Sequence, residues 1–148
     1  MPKLIYLDVC ALSRPFDDQH FMRIRLETEA VNLILFKGRE GKFSLLMSTV
    51  HDAEIRAIND PVERIKLQAI VDEMGVRTKG DLSKMRARAE ELVLLGFGVG
   101  DAAHLAFAEL NGAEFVTCDD RVIRKCLRHK IGIWCGSPVS FCEKEGLR

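Results

Sequence analysis

The segment Leu4-Ile5-Tyr6-Leu7 is apolar at every position and is bounded by Lys3 on one side and Asp8 on the other. A run of this length with no polar face suits a strand buried on both faces, and strands of that kind belong to parallel sheets covered by helices. The rest of the chain supplies the cover. From His20 to Lys37 the apolar residues Ile24, Val31, Ile34 and Leu35 recur at helical spacing, and Gly38 and Gly41 follow as a stop signal. Phe43 to Met47 is again strand-like. Four helical segments follow, at about 50–58, 61–74, 81–95 and 101–111, with Pro61 and Asp81 well placed to open two of them. A third strand is expected near Phe115 and Val116, a helix over 120–129 and a fourth strand over Ile131 to Trp134. Ser137-Pro138 then opens a short terminal helix.

Strands that alternate with helices predict a three-layer α/β domain with an open, mostly parallel central sheet flanked by helices. With 148 residues, 47% of them hydrophobic, the chain is sized for one core, and no linker, repeat or low-complexity tract divides it. A single domain over 1–148 is the expectation. No stretch of eighteen apolar residues exists, and Met1-Pro2-Lys3 runs into the first strand with no signal-peptide pattern, so no membrane association and a cytoplasmic location are expected. The five cysteines, at positions 10, 118, 126, 135 and 142, form no C-x-x-C pair and no zinc-spaced cluster, which suits reduced and mostly buried thiols. Lys plus Arg and Asp plus Glu both total 22, so any attraction to a polyanion has to come from a local patch.

In a parallel sheet the C-terminal strand ends share one edge, where ligands bind. Asp8 follows the first strand directly, and Asp119 follows Phe115-Val116 after two intervening residues. Glu54 lies on the helix after the second strand, and Asp101 opens the 101–111 helix after the loop Gly96 to Gly100. Taken singly, each acid has an ordinary role as a helix cap or a solvated residue. Taken together, several carboxylates on one edge repel one another unless a cation sits among them, and hard oxygen donors select Mg²⁺ or Mn²⁺.

The segment Leu7-Asp8-Val9-Cys10-Ala11-Leu12-Ser13-Arg14-Pro15-Phe16-Asp17-Asp18-Gln19 resembles the opening of a branch of the PIN-domain family. Asp52-Ala53-Glu54-Ile55, Gly100-Asp101-Ala102-Ala103-His104-Leu105-Ala106 and Thr117-Cys118-Asp119-Asp120 resemble further motifs of that family, in its order and spacing, across almost the whole chain. The resemblance is to VapC-like toxin ribonucleases. It implies a PIN-like fold, Asp8, Glu54, Asp101 and Asp119 as a catalytic, metal-binding set for Mg²⁺ or Mn²⁺, RNA as substrate, a cognate antitoxin protein as partner, and a homodimer. Thr117 and Asp120 fall beside that set as supporting residues. The chain departs from the pattern at Val9 and Cys10, where many members carry a hydroxyl or Asn, and a thiol is a poor substitute for a hard oxygen ligand.

Arg121, Arg124, Lys125 and Arg128 stand at i, i+3, i+4 and i+7, on one face of the helix after Asp119. That face is either solvated or a patch for RNA phosphates. Gly96, Gly98 and Gly100 follow a helical stretch and do not spell a dinucleotide-binding loop, so a turn presenting Asp101 is expected. His104 is expected to be a partly buried structural residue. The amphipathic 20–37 segment suits packing within the monomer, a dimer contact or an antitoxin contact.

The mechanism implied is in-line phosphodiester displacement on single-stranded or looped RNA, with two cations held by the acids. Two other classes compete. A phosphatase or receiver domain also places Asp after its first strand, but Cys10 occupies the second position of the D-x-D signature. A PIN fold with a weakened site at Val9 and Cys10 would serve as a binding or regulatory module.

Overall fold

The computed structural model describes residues 2–77 and 80–148. In chain order it contains β1 (Lys3–Leu7), α1 (Val9–Leu12), a 3-10 turn (Arg14–Phe16), α2 (Met22–Arg39), β2 (Phe43–Met47), α3 (Thr49–Arg56), α4 (Pro61–Met74) and β3 (Gly75–Arg77). After these come α5 (Leu82–Leu94), α6 (Val99–Leu110), β4 (Glu114–Val116), α7 (Asp120–Arg128), β5 (Cys135–Gly136) and α8 (Pro138–Glu145).

The five strands form one sheet in the order β3-β2-β1-β4-β5, and every pairing is parallel. The expected three-layer α/β architecture is thus observed. Alternation along β1 explains the layers. Ile5 and Leu7 pack with Val31 and Ile34 of α2, Leu67 and Val71 of α4, and Phe141 of α8. Tyr6 goes to the opposite face, with Phe115 of β4, Leu92 of α5, Leu105 and Ala106 of α6, and Val122 of α7.

Two expectations about strands are corrected. β3 was not expected at all: it is a three-residue edge strand that leaves α4 without an intervening turn, paired through Leu45↔Gly75 and Met47↔Arg77. Only glycine fits at 75, since a Cβ there would lie 2.5 Å from the Val71 carbonyl and 2.7 Å from Met47 Cγ. The last strand is Cys135–Gly136, not Ile131 to Trp134. β4 donates from Phe115 N to Trp134 O (2.8 Å) and from Thr117 N to Gly136 O (3.0 Å), while Ile131 N is already used on Cys126 O at the end of α7. The segment before Trp134 therefore caps a helix, and the ladder begins only at its end.

The chain runs from β1 outward through β2 to β3, then crosses back to place β4 on the other side of β1. Order reverses at the β1/β4 boundary, which opens a crevice at the C-terminal ends of those two strands. Asp8 N donates to Val116 O (3.3 Å) across that boundary.

Candidate active site

Asp8 begins where β1 ends. It is the N-cap of α1, accepting from Ala11 N at 3.0 Å, and it is only 3% exposed. The short helix α1, absent from the sequence expectation, exists because this cap turns the chain sharply out of the strand. The Cys10 thiol donates to the same oxygen, Asp8 Oδ1, at 3.1 Å. Burial, and next the neighbouring Cys10, push the Asp8 carboxyl well above its usual range, while a hydrogen bond from the Thr117 hydroxyl acts against the shift. The Cys10 thiol is itself raised, by hydrogen bonding with Cys118 and by burial.

Asp119 is the N-cap of α7, taking Arg121 N (2.9 Å) and Val122 N (3.4 Å), and its own N–H is accepted by Thr117 Oγ1 at 3.1 Å. Fully buried Thr117 thus joins the loops that carry Asp8 and Asp119. Asp101 sits in the first turn of α6, which starts at Val99, two residues before the expected start. Its carboxyl is raised by burial first and then by the charges of Asp119 and Glu54. Asp101 therefore feels the negative charge of both Asp119 and Glu54. Asp120 does not join them: it forms a two-point pair with Arg23 of α2 (2.7 and 2.9 Å), which lowers its pKa.

Glu54 is oriented by a buried network that the sequence did not reveal. Its Oε1 contacts His104 Nε2, and this hydrogen bond is the main reason its pKa is lowered. His104 Nδ1 meets Tyr6 Oη at 2.5 Å, Tyr6 Oη meets Ser48 Oγ at 2.8 Å, and Ser48 Oγ meets His51 Nδ1 at 3.2 Å. His51 Nδ1 also accepts from Ser48 N, so Nε2 carries the proton and donates to Leu7 O at 2.7 Å. With Ser48 donating to Tyr6, Tyr6 donating to His104 Nδ1, and His104 Nε2–H donating to Glu54, every polar atom in the chain has a partner. Burial, and next His104, lower the pKa of His51 to about 4, so the ring is neutral near pH 7. His104 is 2% exposed, more buried than expected. The one sequence signal for this network was the helical offset that puts His104 three residues after Asp101, on a turn facing α3.

The basic face of α7 is divided. Arg121 and Arg124 line a cleft of about 730 Å³ beside Asp119. Lys125 instead donates to Gly96 O at 2.6 Å and lies over the Phe97 ring, bracing the loop that presents Asp101. Arg128 is exposed in the last turn of α7.

The donors are hard oxygens, the type Mg²⁺ or Mn²⁺ takes: Asp8 is buried with its carboxyl pKa raised, and Asp101 is raised by burial first and then by neighbouring negative charge. As the side chains stand, however, no group of three Asp, Glu, His or Cys residues among the described residues shares a metal-binding geometry. Glu54 uses Oε1 on His104, which leaves Oε2 for a ligand.

These features define a PIN-like three-layer α/β domain with Asp8 and Asp119 at the ends of the two strands that flank its switch point. No family model and no curated protein sequence matches the chain. Among solved structures it is similar to FitAcB from Neisseria gonorrhoeae, at 13% identity, TM-score 0.54, and coverage of 90% of this chain and 97% of that one. It is also similar to FitAB bound to an IR36 DNA fragment, at 13% identity, TM-score 0.56, and coverage of 91% and 95%. At that identity the likeness concerns the fold. No helix among the described residues is long and apolar enough to cross a membrane.

Proposed function

We propose that the chain is a Mg²⁺- or Mn²⁺-dependent endoribonuclease, the toxin of a toxin–antitoxin pair. What supports this reading is that Asp8 and Asp119 follow the adjacent strands β1 and β4 at the crevice, and that Asp101, raised by burial first, is raised further by the charges of Asp119 and Glu54. Carboxylates brought near one another are stabilised by a divalent cation, which when bound would supply Lewis acidity at the scissile phosphate. Asp8 and Asp119 would hold it from adjacent strand ends, Asp101 from the start of α6, and Glu54 through Oε2. The helix caps on Asp8 and Asp119 and the His104 contact on Glu54 fix these carboxylates before substrate arrives, which lowers the reorganisation needed in the reaction. Arg121 and Arg124 would hold the RNA backbone beside Asp119.

The fold shared with FitAB, a protein solved on a DNA fragment, supports the toxin–antitoxin setting and a protein partner. A homodimer fits the apolar residues left at the surface, such as Leu94 (87% exposed) and Val99 (77%). A second reading, a PIN-fold binding module with a weakened site, is favoured by the Cys10 thiol on Asp8 Oδ1 and by the lack of three donors in ligating geometry.

The test is cleavage of single-stranded RNA and DNA by purified protein with Mg²⁺, Mn²⁺ or EDTA. RNA cleavage that needs the cation and is lost in Asp119→Asn is expected. Cation binding by calorimetry with no cleavage of either nucleic acid would establish the binding module instead.

A further inference from the structure

The 730 Å³ cleft beside Asp119 has lining residues that the carboxylate site does not use. It is lined by Cys10, Cys118 and Asp119, and by Arg121 and Arg124 of α7. Phe21, the N-cap residue of α2, also lines it and leaves 61% of its surface in water. Asp119 lines this cleft and also belongs to the proposed carboxylate set, so a chain lying in the cleft would continue into the proposed site.

The charges of this cleft are unequally compensated. Arg14 is held by Glu27 (Nε to Oε1, 3.1 Å) and Asp17 (3.0 Å). Arg23 spans from Glu27 (3.3 Å) to Asp120 and to Cys118 O (3.2 Å), tying α2 to α7. Glu27 is 3% exposed and serves both arginines, so the frame of the cleft is a rigid ion-pair lattice with little charge to spare. Arg121 and Arg124 form no ion pair among the described residues. The free positive charge therefore lies on α7, in a cleft that the exposed aromatic ring of Phe21 also lines.

We infer that this cleft is a subsite for one flanking nucleotide of single-stranded RNA, with its phosphate on Arg121 and Arg124 and its base stacked on Phe21. An anion joined to a flat apolar ring is the chemistry that matches both features at once. Stacking is sequence-tolerant, because every base has a π-face. The inference rests on the proposed ribonuclease reading and adds to it the element that grips substrate outside the scissile bond.

The test is fluorescence anisotropy of a fluorescein-labelled single-stranded RNA 8-mer of random sequence, titrated with full-length protein in EDTA over a range of salt. Phe21→Leu, which keeps apolar bulk and removes the π-face, is expected to weaken binding by roughly tenfold to a hundredfold with an unchanged salt slope. Phe21→Trp is expected to restore it. Arg124→Gln is expected to weaken binding and to lower the salt slope by about 0.7, the value for one phosphate contact on a single strand. If wild type binds RNA and Phe21→Leu binds equally well, the subsite is wrong and the ribonuclease reading stands. If wild type neither binds nor cleaves RNA, the ribonuclease reading fails and the subsite with it. Displacement of nothing by RNA, but Phe21-dependent binding of an acidic labelled peptide, would assign the cleft to a protein partner and overturn the proposal.

Discussion

Tyr6→Phe isolates the buried network behind Glu54, because it removes one oxygen and leaves the ring. The ring contacts, 4.6 Å to His51 and 5.7 Å to Phe115 between centroids, are retained. Lost are the hydrogen bonds to His104 Nδ1 and Ser48 Oγ, both on a residue with no exposure. Ser48 keeps His51 as a partner, so its loss is about 1 kcal/mol, the net worth of an ordinary hydrogen bond. His104 Nδ1 has no other partner, and an unsatisfied buried nitrogen costs about 1–3 kcal/mol. A destabilisation of about 2–4 kcal/mol follows, which for a chain of this size lowers Tm by roughly 4–16 °C. Urea unfolding at constant m-value measures it directly. Glu54 should also lose part of its orientation, so Mn²⁺ affinity by calorimetry should fall while the fold is kept. A change below about 0.5 kcal/mol would refute the claim that Tyr6 closes a satisfied buried chain.

Asp8→Asn and Asp119→Asn should each abolish cation-dependent RNA cleavage, and wild-type turnover by either purified variant would contradict the proposed site. In EDTA near pH 7, Asp8→Asn should be at least as stable as wild type by thermal denaturation, because the amide still caps α1 and a carboxyl with a raised pKa is costly to ionise. His51 is held neutral with a folded pKa of about 4, below the unfolded value of 6.5, so its contribution is complete above pH 6.5 and is lost as pH falls toward 4. The loss from this group is up to roughly 3 kcal/mol, and a His51→Gln variant should show a shallower decline in denaturant midpoint over that interval. Light scattering at high concentration should report a dimer, and a monomer throughout would count against the proposed self-association.

Much of the sheet was legible because its strands carry the burial in their own residues. β1 and β2 are mostly apolar runs with sharp ends, and α4 opens at Pro61, so their limits were legible to within a residue. β3 was not legible, since Gly75-Val76-Arg77 has no periodicity of its own and becomes a strand only because β2 offers it an edge. Apolar content misplaced the last strand at Ile131 to Trp134, whereas the hydrogen-bonding reach of β4 decides its position. In the candidate site the acids stood out by their positions after strands. Their partners did not: Tyr6 and Ser48 look like ordinary strand and cap residues, and the link from Glu54 to His104 spans 50 positions. Arg23 looks like any charged residue of a helix face, yet it crosses 97 positions to hold Asp120.

The reversal of strand order beside β1 also sets when such a site can exist. A nascent chain forms its N-terminal part first, and parallel pairings between distant segments form late because long loops must close before any contact is gained. β1 is paired on one side by β2 at residues 43–47, but its other side stays open until residues 114–116 have been made. Asp8 and Glu54 are present for most of that interval, yet Asp119 lies 119 − 8 = 111 positions beyond Asp8. An incompletely synthesised chain thus has half of its acidic set and an unprotected β1 edge. If the set cleaves RNA, a ribosome translating this message is spared its product until the chain has passed Asp119 and β4 has docked.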